Sequence, residues 1–190
     1  MSPVQADATQ LPSLSLAEWV VLAVICERPT HGFAIGQLTA ADGELGRIWQ
    51  VPRPLVYRAI GRLEEAALIA ADAVEPGRGP QRTIYRAAGR GVQAAASWLD
   101  TPVQHVRDVR SQLLLKLALL DRAGQDSTDL LRRQRSLLAP IAQAMAADRP
   151  EQTGFDAILL AWRRATASAT LSFLDDVSSA AAGTQRQLSG

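Results

Sequence analysis

The residues best suited to chemistry in this chain lie on one side of a predicted helix at residues 51–69. Its apolar residues recur with the helical period, which leaves the other side exposed. The predicted buried stripe consists of Val56, Ala59, Ile60, Leu63 and Ala67. That exposed side carries Pro54, Tyr57, Arg58, Gly61 and Arg62. No acid follows until Glu64 and Glu65. Arginine pairs with guanine edges, and the amides at a helix N-terminus attract phosphate. This side of the helix therefore predicts the binding of a polyanion such as double-stranded DNA.

A predicted hairpin directly after this helix adds further cations. Two strands, at residues 68–74 and 81–87, flank a turn-forming segment at residues 75–80. A hairpin that follows a groove-facing helix is the wing of a winged helix, and its tip contacts the neighbouring backbone or minor groove. The polar residues at the tip are Arg78, Gln81 and Arg82.

Two more arginines, Arg47 and Arg53, stand before and at the start of the helix. We expect them to contact phosphates rather than bases. The alternative for all of these residues is a solvated surface without a partner. The wing behind the helix favours DNA contact for Tyr57, Arg58 and Arg62.

The sequence predicts neither a catalytic site nor a metal site. No serine has the flanking glycines of a nucleophile elbow, and no phosphate-binding glycine loop occurs. The two histidines, His31 and His105, are far apart in the sequence, and the chain has a single cysteine, Cys26, so no metal-binding cluster is visible. We therefore expect no enzyme activity, no cofactor and no metal. His31 is expected to make a local hydrogen bond at a helix start, and Cys26 to be a buried, inert thiol rather than a redox switch.

Composition predicts a mainly helical protein. The chain has 190 residues, of which 47% are hydrophobic and 5% aromatic, and alanine is abundant. The net charge of +1 does not by itself indicate a nucleic-acid binder, so the prediction depends on where the arginines lie. No apolar run has the length of a membrane span and no leader is recognisable, so we expect a cytoplasmic protein with no membrane partner.

The segments before the predicted DNA-binding helix complete a three-helix domain. A capping box at residues 15–18 begins a helix that ends near Glu27. A second helix is predicted from His31 or Gly32 to about Ala41. Three helices and a hairpin form the winged helix-turn-helix plan, which we assign to residues 14–90. Residues 1–13 are predicted to be a disordered tail.

Residues 91–179 are predicted to form an α-helical dimerisation domain, followed by a disordered tail at residues 180–190. Helices are expected near residues 92–99, 106–121, 128–147 and 155–179, with Pro140 kinking or splitting the third of these. The last helix has one apolar stripe that includes Phe155 and Trp162 and a second that includes Leu160. We expect one stripe to pack within the subunit and the other against a second chain. Trp162 is interpreted as a core or interface anchor; the alternative is a platform for a small aromatic effector.

Taken together, these segments resemble the PadR-like family of bacterial transcriptional regulators, in the longer subgroup with a helical C-terminal dimerisation region. The resemblance spans residues 14–120. The segments that carry it are residues 14–22 (LSLAEWVVL), 29–33 (PTHGF), 45–49 (LGRIW), 56–57 (VY), 63–65 (LEE), 68–69 (LI), 85–86 (YR) with Gly89, and 113–119 (LLLKLAL). Ala67 stands where the family usually has glycine at the end of the DNA-binding helix, so we expect a different cap there.

The resemblance implies a mainly α fold with a small β-hairpin, and a homodimer that places two winged helices on a two-fold DNA site. It also implies repression that a small molecule often relieves. Half-sites about 34 Å apart are expected if both subunits present the helix on one face. A rival interpretation is a ligand- or cofactor-binding helical dimer whose winged helix contacts proteins. A small enzyme is the second rival, and it lacks a visible polar constellation.

Overall fold

The computed structural model describes residues 12–75, 81–147 and 153–188. Most of the predicted tail at residues 1–13 lies outside this part of the chain, as does Arg78. The fold consists of two compact units, Met1–Trp98 and Leu99–Gly190. The described part is mainly α-helical with one small antiparallel sheet, so the predicted fold class is confirmed.

The first unit contains three helices and a three-stranded sheet, followed by a fourth helix that ends in the second unit. The helices are α1 (Leu16–Glu27), α2 (Gly32–Leu38), α3 (Arg53–Glu65) and α4 (Gly89–Asp100). The capping box of α1 is confirmed: the Ser15 N–H donates to Glu18 Oε2 at 2.7 Å, and the Glu18 N–H donates to Ser15 Oγ at 3.4 Å. These two bonds satisfy amides that the first turn of a helix leaves open, which fixes where α1 begins.

The sheet contains both predicted strands and one that was not predicted. Its strands are β1 (Thr30–His31), β2 (Ile69–Glu75) and β3 (Arg82–Ala87), in the order β1-β3-β2. β1 pairs His31 with Ile84 and Thr30 with Tyr85. A strand of two residues is too short to show an alternating pattern, which is why sequence periodicity missed it. This pairing ties the start of α2 to the wing.

The DNA-binding helix predicted at residues 51–69 is shorter in the structure. α3 ends at Glu65, and Ala67 adopts a left-handed backbone with φ 54°. The Ala67 N–H donates to the Glu64 carbonyl and the Leu68 N–H to the Leu63 carbonyl, both at 2.9 Å. This is the Schellman arrangement that glycine usually completes. The expectation of a different cap was therefore wrong, because alanine here adopts the left-handed conformation despite the cost of its Cβ. Ala67 is also exposed rather than part of the buried stripe.

All regular elements in the described part of the second unit are helices. Its elements are α5 (Val106–Asp108), a π-helical turn (Val109–Leu113), α6 (Leu114–Arg122), α7 (Thr128–Ala147) and α8 (Phe155–Leu188). The first three form an uninterrupted run, where one regular helix was predicted. The core of this unit contains Val103, Val109, Leu113, Leu120, Leu130, Leu131, Leu138 and Leu174.

One boundary prediction in the second unit was wrong, and at Pro140 the structure excludes one of the two predicted alternatives, the split. α7 continues through Pro140 rather than splitting there. Pro140 is exposed, and α7 packs along α8 on both sides of it, so tertiary contacts outweigh the backbone hydrogen bond that proline lacks. α8 runs to Leu188 and not to the predicted end at Ser179. The alanines at residues 180–182 are strong helix formers, which favours this continuation over the predicted disordered tail.

Buried polar side chains hold the segment between α4 and α5. Gln134 of α7 brackets Val103: its Nε2 donates to the Val103 carbonyl at 2.9 Å, and its Oε1 accepts from the Val103 N–H at 2.7 Å. Lys116 of α6 is 1% exposed and its Nζ donates to the Thr101 carbonyl. Burial lowers the pKa of Lys116 to about 8, against a smaller opposing effect of Asp100. Among the helices of the described ranges, none has both the length and the apolar character needed to cross a membrane.

Candidate nucleic-acid interface

α3 has one buried face and one exposed face, as the helical period predicts. Val56, Ala59, Ile60 and Leu63 are at most 3% exposed, and the helix packs against α1 and α2. The opposite face carries the predicted site residues. The side chains exposed there are Pro54, Tyr57, Arg58 and Arg62, and Tyr57 is 55% exposed. The buried apolar face thus fixes which side chains α3 presents to solvent.

Two glycines of α2 allow α3 to pack closely. A Cβ on Gly32 would lie 2.7 Å from Tyr57 Cε1, and one on Gly36 would lie 3.2 Å from Arg53 Cγ. Contacts of 2.7 Å are not tolerated without movement, so Gly32 makes room for the Tyr57 ring. α2 itself begins at His31, whose Nδ1 accepts a hydrogen bond of 3.0 Å from the Ala34 N–H. The predicted local hydrogen bond of His31 is confirmed.

Two of the predicted arginines converge on an aromatic ring that the sequence did not single out. The guanidinium carbon of Arg53 lies 5.0 Å from the centroid of the Phe33 ring, and that of Arg82 lies 4.7 Å from it. Both distances are within the range of cation–π interactions. Phe33, Arg53 and Arg82 belong to α2, α3 and β3, and we call this group the Phe33 bracket. No periodic pattern joins residues so far apart in the chain, so only the tertiary structure reveals it.

Another predicted site residue, Arg62, is held by an acid. Its guanidinium Nη1 lies 2.9 Å from Glu18 Oε1, and the Glu18 side chain is only 4% exposed. Glu18 therefore serves two purposes, since its other oxygen caps α1. A buried carboxylate is costly without a cation beside it, which gives Arg62 a structural task in addition to the predicted DNA contact. On the wing, Arg86 similarly pairs with Asp72 at 2.9 Å.

The remaining predicted DNA contacts are exposed where the structure describes them. Arg47, Arg58 and Gln81 are all solvent-exposed. Neither Arg47 nor Arg58 has an ion-pair partner among the described side chains. Gly61 has no atom within 4 Å of the position that a Cβ would occupy, so nothing inside the chain requires glycine there. Arg78 cannot be placed, because the tip of the wing lies outside the described residues.

Cys26 is placed as an unreactive thiol. Burial raises its pKa to about 11, and the neighbouring Glu27 adds to that rise. The thiolate is the reactive form of cysteine, so the Cys26 environment disfavours redox chemistry at neutral pH. Across residues 12–75, 81–147 and 153–188, no group of three histidine, cysteine or acidic side chains has the geometry to hold a metal ion.

In the second unit, α8 separates its two apolar stripes as predicted. Leu160, Ala167 and Leu174 are buried within the unit, whereas Phe155, Ile158 and Trp162 are 72%, 65% and 69% exposed. Trp162 also lines a groove of about 680 Å³. The other lining residues are Val106, Arg107, Val109, Arg110, Leu114, Met145, Arg163, Thr166, Ala169, Thr170 and Phe173.

Comparison with known proteins identifies the family of the first unit. Residues 21–97 match the model described as the transcriptional regulator PadR-like family. No curated protein matches the chain. Among solved structures, Bacillus subtilis PadR in complex with operator DNA is similar, with 17% identity and a TM-score of 0.43 over 85% of this chain and 97% of that chain. smu.1604c from Streptococcus mutans UA159 has 16% identity and a TM-score of 0.41 over 84% and 96%. Bacillus subtilis PadR in complex with p-coumaric acid has 15% identity and a TM-score of 0.38 over 87% and 95%. The operator DNA and the p-coumaric acid are ligands of Bacillus subtilis PadR in those structures.

The family match agrees with the resemblance in the sequence and covers the unit that presents the arginine-bearing face of α3. The family consists of transcriptional regulators, so the prediction that the chain is not an enzyme is confirmed by the family match. Residues 21–97 thus form a domain that matches the transcriptional regulator PadR-like family.

Proposed function

We propose that this protein is a transcriptional repressor that binds a pseudo-palindromic operator in double-stranded DNA as a homodimer. α3 enters the major groove, and the wing contacts the flanking backbone. The observation that carries this proposal is the exposed face of α3, on which Tyr57 and Arg58 surround a glycine with open space above it. The first acids, Glu64 and Glu65, stand at the far end of the helix. A face of this kind favours insertion toward a phosphate-lined groove.

Each arginine has a role in this proposal that follows from its position. Arg58 lies in the middle of the exposed face and reads a base edge, since a guanidinium forms paired hydrogen bonds with guanine. Arg47 and the two arginines of the Phe33 bracket contact phosphates, as do Gln81 and Arg78 on the wing. Pro54 and Gly61 carry no charge, and their role is to let the duplex approach the backbone of α3 closely. Arg62 contributes less, because Glu18 already neutralises it.

Operator selection from genomic fragments, followed by fluorescence anisotropy at several salt concentrations, tests the DNA-binding part. Arg58→Ala should weaken binding to the selected site by about tenfold and relax its sequence preference, since a bidentate pair discriminates by about 1–3 kcal/mol. The matched control is Arg132→Ala in α7, an exposed arginine outside the winged helix. Equal affinities of wild type and Arg58→Ala for every fragment would contradict the proposal and favour the rival in which the winged helix contacts a protein.

The exposed stripe of α8 supports the homodimer. Phe155, Ile158 and Trp162 recur every three or four residues and together form an apolar surface that solvent does not favour. A second copy would cover it by packing its own α8 there, in the self-complementary manner of a two-fold interface. Light scattering should give a dimer for the wild type and a monomer for Ile158→Glu. Ser136→Glu, on the exposed surface of α7, is the control for added charge.

The groove beside Trp162 supports release by a small aromatic effector. Its lining combines Trp162 and Phe173 with the cations Arg107, Arg110 and Arg163. Aromatic faces stack on planar rings, and guanidinium groups bind carboxylates. Part of the lining is the π-helical turn, an irregularity that is frequent at functional sites.

Trp162 belongs both to the groove and to the exposed stripe, so an occupant of the groove would contact the indole that anchors the second copy. A ligand that prefers one arrangement of the two copies shifts DNA affinity by its difference in affinity between the arrangements. A panel of aromatic acids should quench Trp162 fluorescence and lower operator affinity, and the Trp162→Phe variant should lose the quenching. A reporter gene behind the operator distinguishes repression from activation: the wild type should lower expression, and Arg58→Ala should restore it.

A further inference from the structure

We infer that Phe33 is a positioning residue for DNA binding, which aims Arg53 and Arg82 at the same stretch of phosphate backbone. This inference rests on the proposed DNA-binding function and deepens it. Phe33 acts through the two arginines and does not itself contact a base. Its ring is half-buried in α2 and serves as the common support of the two guanidinium groups, one from the start of α3 and one from the wing.

The shared ring limits how far apart the two charges can lie. Because each guanidinium carbon lies within 5.0 Å of one ring centroid, the two carbons are within about 10 Å of each other, a separation at which charges near a protein surface still interact. An anion that contacts both guanidinium groups relieves their mutual repulsion. A single phosphate, or two neighbours on one strand, carries the charge and the oxygen acceptors that such a pair binds.

An aromatic ring orients arginine without neutralising it. Stacking occupies the face of the guanidinium plane, whereas the N–H donors point outward along its edge and stay available. Two other arginines of this unit are held by acids instead: Arg62 is paired with Glu18 and Arg86 with Asp72. Neither Arg53 nor Arg82 has an ion-pair partner among the side chains that the structure describes. Among the side chains that the structure describes, no acid neutralises either cation of the Phe33 bracket.

Local backbone features keep the bracket in place. The pairing of His31 with Ile84 holds the start of α2 beside β3, which carries Arg82 two residues earlier. Gly36 lies one turn after Phe33, and its missing side chain leaves room for the stem of Arg53, which a Cβ would approach to 3.2 Å. The wing and the DNA-binding helix are thus connected through one ring.

The test compares full-length variants at Phe33 in operator-binding assays over a range of salt. Phe33→Leu keeps an apolar side chain but removes the π face. It should weaken binding by about tenfold and reduce the salt slope by about one unit per protomer, because about one phosphate contact is lost. Phe33→Tyr keeps the ring and should restore both the affinity and the slope. A residue that only filled the core would change thermal stability without changing the salt slope.

A second measurement needs no change at Phe33. Arg53→Ala, Arg82→Ala and the double variant form a cycle, and two arginines on one phosphate should show coupling, so that the double loss differs from the product of the single losses. The inference would be overturned if the loss of affinity in the double variant equalled the product of the two single losses. It would also be overturned by a Phe33→Leu variant with the wild-type salt slope and affinity. Arg58→Ala, measured in the same assay, distinguishes failure of the proposed DNA binding from failure of the inference about Phe33. Suppose that Arg58→Ala weakens binding, whereas Phe33→Leu has no effect and the Arg53 and Arg82 variants show no coupling. The proposed DNA binding is then supported and the role of Phe33 is refuted.

Discussion

Replacing Gly61 with alanine should change the stability of the protein and its affinity for DNA in opposite directions. Gly61 lies in the interior of α3, and a Cβ at this position would have no atom within 4 Å. Glycine in a helix interior is less favourable than alanine by about 0.5–1 kcal/mol. Because the chain offers no steric reason for glycine, Gly61→Ala should increase the free energy of unfolding by about that amount.

The same substitution should impair DNA binding. Gly61 is one turn after Tyr57 and Arg58 on the exposed face, at the place where we propose that the duplex approaches the helix backbone. A methyl group there would push the helix outward and lengthen the hydrogen bonds of Arg58. A loss of about 1.4 kcal/mol in binding corresponds to tenfold in the dissociation constant. Stability and affinity should therefore change in opposite directions.

Urea unfolding followed by circular dichroism measures the stability, and anisotropy with the selected operator at fixed salt measures the affinity. The matched control is Gly89→Ala at the start of α4, where a Cβ also has no atom within 4 Å. The control should leave operator affinity unchanged. A Gly61→Ala protein that binds the operator as tightly as the wild type would refute the proposed approach of α3, and a less stable one would refute the open space above Gly61.

Four further outcomes follow from individual contacts. Ala67→Gly should stabilise the protein by about 1 kcal/mol in urea unfolding, since glycine adopts the left-handed conformation without the Cβ penalty; a loss of stability would contradict the Schellman cap. Arg62→Ala should lower stability by about 1–2 kcal/mol, because the buried Glu18 carboxylate loses its cation, and Glu18→Gln in that background should recover part of it. Lys116 has a lowered pKa, so its contribution to stability should rise between about pH 8 and 10.5 and be absent from Lys116→Met. Cys26 has a raised pKa, so its contribution to stability should fall between about pH 9 and 11 and be absent from Cys26→Ala. If Lys116→Met and Cys26→Ala had the same dependence of stability on pH as the wild type, the burial of these two side chains would be refuted.

The sequence by itself determined the local elements of this protein. The capping box at Ser15 and the buried stripe of α3 are signals within a few residues of one another, and the structure has both helices. The turn-forming segment at residues 75–80 is another local signal, and the two strands that it separates pair as predicted. The two stripes of α8 were equally visible, because helical periodicity depends only on residue order. For the same reason, the face of α3 that carries Arg58 could be predicted from the spacing of its apolar residues.

Only the tertiary structure decided which partners the side chains have. Phe33, Arg53 and Arg82 meet because three separate elements pack together, and the same packing pairs Arg62 with Glu18. Periodicity shows which face of an element is buried but not which side chain of another element it meets. The left-handed backbone of Ala67 was missed for a related reason: local propensity disfavours it, and hydrogen bonds of the folded chain hold it. Contacts between residues far apart in the chain therefore determine which arginines lie on an aromatic ring and which are paired with an acid.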